Sequence, residues 1–186
     1  MRKFYDFGPD SRPNKRESVC GYELGKFDSS VFRRCEWFQG PIPRDVQLWV
    51  KPGSPADVLG EPLSWLMLSE NLIEIIKQLA PADIQEIPAP LFYVDSKKPV
   101  SRYRIVNILR SLEAIDLTKS VTSEMDILGT KILNVIEAVY RGKAIPPEVH
   151  IFRPMESMSR VVISEELAQA MTGKVVGVAL IRTKTV

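Results

Sequence analysis

The sequence predicts an α+β fold: one domain over residues 1–186, a mixed and mostly antiparallel sheet, and two principal helices at about 69–80 and 164–172. Three observations predict it. Glycine and proline punctuate residues 1–62 too densely for helices, but suit short strands and ordered loops. Two stretches carry helix start signals, and β-branched or aromatic runs surround both. The 186 residues, 45% apolar and 26% charged, suffice for one substantial core.

Residues 1–45 form an irregular N-terminal segment rich in breakers, among them Gly8-Pro9, Pro13 and Gly40-Pro41. VQLWV (46–50) is the clearest early strand, β-branched and aromatic until Lys51-Pro52-Gly53 ends it. From residue 69 the period changes. Leu72, Ile75, Ile76 and Leu79 recur at helical spacing, Ser69 precedes them and Pro81 follows. DIQEIPAPLFYV reads as an interrupted or edge strand, because Pro88 and Pro90 withhold ladder donors. YRIVNIL (103–109) and KILNVIEAVY (131–140) are β-branched yet also fit helical spacing, so pattern alone leaves both open. Beyond Pro146-Pro147 the order is strand HIFR, strand RVVI, helix SEELAQAM, a turn at Thr172-Gly173 and strand VVGVALI. LMLSENL (66–72) and VVISEEL (161–167) share one layout of apolar strand, serine and short helix, as a duplicated βαβ-like element would.

Both serines invite a catalytic reading, since a strand-to-helix turn is where a nucleophilic serine sits. Their neighbours Leu68, Glu70, Ile163 and Glu165 lack the small residues of a G-x-S-x-G elbow. Ser69 and Ser164 read instead as helix caps, with Glu70, Glu165 and Glu166 in the first turns where the helix dipole favours acids. His150 is the single histidine, so any triad or imidazole metal site rests on one ring. Cys20 and Cys35 form no C-x-x-C pair, and no glycine-rich phosphate loop occurs. No catalytic set, cofactor site or metal site is expected. A net charge of +2 points to neither nucleic acid nor membrane. Two cysteines, no signal-peptide core and no long apolar run fit a reduced cytoplasm. Glu36, Trp37, Phe38, Trp49 and Trp65 are the candidate partner contacts, with core or loop anchoring as the alternative reading of each aromatic ring.

PLSWLMLSENL, IQEIPAPLF, YRIVNILRSLEAIDLTKS, HIFRPMESMSRVVISEELAQAM and TGKVVGVAL, in that order, resemble a bacterial immunity-protein family of polymorphic toxin systems. It is the eleventh of the immunity series, formerly a domain of unknown function. The pieces that carry the resemblance are Tyr103 and Asn107 of a Y-x-x-x-N core, the Asp116–Ser120 turn, IFR at 151–153 and the apolar-Ser-Glu-x-Leu unit. The resemblance spans residues 46–182, matches 1–45 poorly, and lacks the paired C-x-x-C-G motifs of some relatives. It implies a small cytoplasmic protein without catalytic residues that shields its producer by binding a cognate toxin. It also implies strands for YRIVNIL and KILNVIEAVY. Two readings compete: an enzyme with a site near Tyr103, Arg104, Asp116 or His150, and an adaptor for another cellular protein.

Overall fold

The computed structural model describes residues 2–10, 16–127 and 130–186. The N-terminal third contributes β1 (Phe4–Pro9), β2 (Ser18–Glu23), β3 (Gln47–Lys51), β4 (Val58–Leu59) and β5 (Met67–Ser69). There follow α1 (Glu70–Lys77), β6 (Ile84–Pro88), β7 (Leu91–Tyr93), β8 (Tyr103–Ile108), β9 (Ser111–Leu112), β10 (Val121–Ile127), β11 (Thr130–Glu137) and β12 (Val139–Tyr140). The chain closes with β13 (Ile151–Pro154), β14 (Val162–Ser164), α2 (Glu165–Met171), β15 (Val178–Arg182) and β16 (Lys184–Thr185).

Two sheets organise the rest. One runs β15-β1-β14-β13-β9 and the other β4-β5-β8-β6. Pairing is mostly antiparallel, with parallel exceptions at β13–β9, β3–β7 and β12–β16. The predicted α+β class and its two helices are therefore present, although the strands divide among several sheets instead of joining one.

The helices explain why both large sheets belong to one body. β5 and β6 each pair antiparallel with β8, so β5-α1-β6 is a βαβ unit split by an intervening strand. β14 and β15 each pair antiparallel with β1, so β14-α2-β15 repeats that arrangement. α1 and α2 pack on each other, and their buried faces share a core with Leu68, Val106 and Ile108 of one sheet and Phe7, Ile151 and Ile163 of the other. Alternation then sends the neighbouring side chains outward. Met67, Tyr103 and Ile105 enter a second core with Phe32, Leu48 and Trp65, while Phe4, Phe152 and Val162 enter a third with Ala114 and Tyr140. Residues between β1 and β5 roof the second core, and residues after β9 roof the third. Asp6 of β1 fastens the latter roof, accepting from the Tyr140 hydroxyl at 2.9 Å and from Arg160 Nη1 at 2.7 Å.

Both serines cap as predicted. Leu72 N–H donates to Ser69 Oγ and Leu167 N–H to Ser164 Oγ, each at 3.2 Å. α1 is shorter than its period suggested. It ends at Lys77, the amides of Leu79 and Ala80 both turn back to the Ile76 carbonyl, and Leu79 lies exposed beyond the helical stripe. The strand predicted from Val175 begins only at Val178. Gly177 before it has φ +75°, where a Cβ would lie 2.2 Å from Arg16 Nη1 and 2.5 Å from Ala56 Cβ, so the backbone turns sharply there. The Pro-interrupted run divides as its prolines imply: β6 edges one sheet and β7 edges the small β2-β3-β7 sheet.

Removing either cap leaves a first-turn amide without its acceptor. Ser164→Ala is expected to lose about 1 kcal/mol of stability in urea denaturation. Unchanged midpoint and slope would contradict the cap.

Candidate partner-binding surface

The five predicted contact residues separate when placed in the fold. Trp65 is only 1% exposed; its indole N–H donates to Ser29 O at 2.7 Å and its ring meets Phe32 edge-on at 5.0 Å. Trp65 is thus a core anchor, which removes it from the surface. Phe38 is half-buried, with its ring 5.1 Å from Phe32, and both its backbone polar groups bond Gln85, at 2.9 and 2.7 Å. Glu36 and Trp37 are exposed, Trp37 by 65%. Trp49 is half-buried on β3, tilted against Phe92 at 5.9 Å and covered by Lys97 Nζ at 4.1 Å, a cation–π contact.

Between residues 40–46 and residues 87–92 lies a groove of about 360 Å³. Pro41, Ile42, Pro43, Ile87, Pro88 and Phe92 give it a largely apolar wall. Its loop is held from below by the strand motif. Asn107 on β8 donates from Nδ2 to Glu36 O at 2.7 Å and to Gln85 Oε1 at 3.1 Å. Tyr103, the other residue of that motif, donates to Glu17 Oε2 at 2.9 Å. Glu17 is almost fully buried and also accepts from Tyr93 and Arg102. Burial pushes the Tyr103 phenol up to about 12, so it stays a donor to this carboxylate.

A second apolar surface had no counterpart among the predicted contacts. β10 and β11 form a two-stranded hairpin on which Val121, Met125, Ile132 and Ile136 are all exposed. Met125 and Ile132 are directly cross-strand, while a bulge between Val121 and Thr122 pairs Val121 with Glu137 and leaves Ile136 as the extra residue. The signal was the period-two pattern of VTSEMDI, whose apolar residues alternate with Thr122, Glu124 and Asp126.

The residues of the enzyme reading do not converge. Tyr103 bonds Glu17 and receives Ala56 N–H. Arg104 reaches towards Glu70. Asp116 accepts Thr118 N–H at 3.1 Å in a turn that Ser120 ties to Val139. His150 meets Ser164 Oγ at 2.9 Å and Arg2 Nη2 at 3.1 Å, both through Nδ1. Arginine can only donate, so Nδ1 is an acceptor, and the Ser164 hydroxyl has both Nδ1 and the Glu166 carboxylate as acceptors in reach. This pair has the form of a nucleophile and its base, but Ser164 is fully buried and its oxygen caps α2. The cavities lined by the described residues that surround residues 40–46, 57–66, 171–180 and 136–138 include neither Ser164 nor His150. Burial, reinforced by Arg2, holds the His150 ring below its ordinary value of 6.5. Among the described residues no three His, Cys, Asp or Glu side chains gather as metal ligands, and no helix is long and apolar enough to cross a membrane. Cys20 and Cys35 are free thiols, and burial pushes the Cys35 thiol up.

Fold and surface together define a small α+β scaffold whose polar interior anchors hold apolar loops in place. The chain belongs to the Immunity protein family (Imm11), whose model it matches over residues 25–185. The match begins well before residue 46 and so takes in the Glu36–Phe38 loop. Comparison with curated proteins gives no match.

Two measurements follow. Asn107→Ala frees the Glu36 carbonyl and is expected to cost about 1–3 kcal/mol, with faster amide hydrogen exchange at residues 36–38; unchanged exchange there would reject the anchoring role. A depressed His150 pKa means the unfolded chain binds the proton first, so this ring's contribution is complete above about pH 6.5 and is lost as pH falls below it. The wild-type stability lost on acidification through that window should shrink in His150→Gln, measured as the difference between the two proteins.

Proposed function

We propose that this protein is an immunity protein that neutralises a cognate toxin in the cytoplasm of the producing cell by covering it with a preformed surface. Membership of the immunity family carries the reading, and the groove walled by residues 40–46 and 87–92, whose first wall residue follows Trp37 by three positions, supplies the contact. The assigned contacts are Glu36, Trp37, Ile42 and the Phe92–Trp49 pair. An exposed tryptophan on the segment that leads into a concave apolar wall has the composition of an interface hot spot, and the hairpin lacks any aromatic ring. Pinning by Asn107 and Gln85 lowers the ordering entropy that association would otherwise cost. The mechanism is occlusion and involves no bond making.

Co-expression with the toxin encoded beside it tests the pairing. Wild-type protein restores growth; killing that persists with both proteins soluble refutes it. Trp37→Ala is expected to weaken toxin binding by about 2 kcal/mol, roughly 30-fold in Kd, with an unchanged melting curve. Met125→Ser on the hairpin keeps full protection. The reverse pattern, loss with Met125→Ser and full protection with Trp37→Ala, moves the interface to the hairpin.

A further inference from the structure

Arg153, the last residue of the IFR motif, plays no part in that surface. Its side chain is fully buried. Nη1 donates to Met158 O at 2.8 Å and to Arg160 O at 3.5 Å, and Nη2 to Ser64 O at 3.2 Å, so carbonyl oxygens, which carry no formal charge, take three of its five N–H donors. Its Nε–H meets no acceptor among the described residues. Arg33, whose Nε–H is likewise buried without an acceptor, lies near enough to act on both Arg153 and Glu61. Two guanidinium groups thus face one carboxyl, a local excess of positive charge in a desolvated place. Unmatched buried donors of this kind call for an explanation.

Arg153 and Glu61 line one cavity of about 190 Å³ with Ser64, Ser159, Phe7 and Leu66. We propose that this cavity binds a small organic monocarboxylate, its carboxylate held by Arg153 and its short apolar tail packed on Phe7 and Leu66. A carboxylate matches the planar guanidinium edge and supplies the countercharge. Inorganic phosphate supplies charge but leaves the apolar wall against a fully polar ion. A neutral alcohol fills the space but not the charge.

Glu61 sets the pH dependence. Burial pushes its carboxyl up to about 7, against the backbone N–H groups of Leu63 and Trp65 and the positive charges of Arg153 and Arg33. The Cys35 thiol beside Arg153 is held protonated by its burial. A bound carboxylate repels ionised Glu61, so binding takes up a proton and tightens as pH falls from about 8 to about 6.

Calorimetric titration of the full chain with butyrate, n-butanol and inorganic phosphate tests this. Butyrate is expected to bind about tenfold or more tightly than either competitor, and more tightly at the lower pH. Glu61→Gln should bind butyrate with no pH dependence over that range. Arg153→Lys should lose binding. Should Arg153→Lys unfold, Ser159→Trp at the exposed wall position blocks the cavity without touching the core and should abolish the signal. Equal binding of butyrate and butanol, phosphate binding as tight as butyrate, or undiminished binding by Ser159→Trp would each overturn the assignment. The toxin-binding reading stands or falls separately.

Discussion

Strand β8 is buried on both faces, and the rest of the molecule is arranged around what that requires. Val106 and Ile108 fill the core shared with the helices, while Tyr103 and Ile105 fill the core on the other side. Polar side chains in such a strand must find partners inside the protein, because water cannot reach them. Tyr103 finds the Glu17 carboxylate and Asn107 finds Glu36 O and Gln85. Each partner sits on a different segment, so satisfying one strand fixes the N-terminal segment, the Trp37 loop and the edge strand β6 together. The surface loops are consequently set by the interior.

The two strand-serine-helix units show the same economy at the helix ends. Each serine oxygen accepts a first-turn amide, and each hydroxyl proton must then go elsewhere. In α1 it goes to Asp57, whose other oxygen accepts Val176 N–H at 2.7 Å and so links the first helix to the loop after the second. In α2 the acceptors in reach are His150 Nδ1 and the Glu166 carboxylate. Both places hold acceptors for a buried or half-buried hydroxyl, which is what a cap at that depth requires. The Ser164–His150 contact is therefore explained by burial of the cap, since a hydroxyl at that depth needs both its donor and its acceptor roles filled.

Much of this was legible in the sequence, and the misses have physical causes. Helix caps, the proline-divided strand and the strands at 47–51 and 151–154 follow from local rules that tertiary contacts did not override. YRIVNIL was ambiguous because a strand buried on both faces shows no polar alternation. KILNVIEAVY was ambiguous because its hairpin exposes Ile132 and Ile136 while burying Val135, so apolar residues on both faces mimic a helical stripe. β1 pairs with β14 and β15 from the opposite end of the chain, a register that no local pattern encodes. Trp65 could be read as core anchor or as contact because the partners that decide it, Ser29 O and Phe32, lie more than thirty positions away. Of the candidate site, the Trp37 loop could be named in advance, but the groove that follows it in the chain arises only when residues 40–46 fold against 87–92.

A protein that acts by covering another gains most from not having to reorganise when it binds. Loops are ordinarily the mobile part of a fold, so an interface built on residues 36–46 would lose that advantage if the loop were held by surface contacts alone. Here the Glu36 carbonyl and both Phe38 backbone groups at its start are instead tied to Asn107 and Gln85, and the Phe38 ring is wedged beside Phe27 and Phe32. Opening the loop would strand buried amide groups, whereas the exposed Trp37 ring can change without disturbing any of them. The groups that hold the loop, Asn107 and Gln85 inside, are thereby separate from the exposed Trp37 ring proposed as the contact.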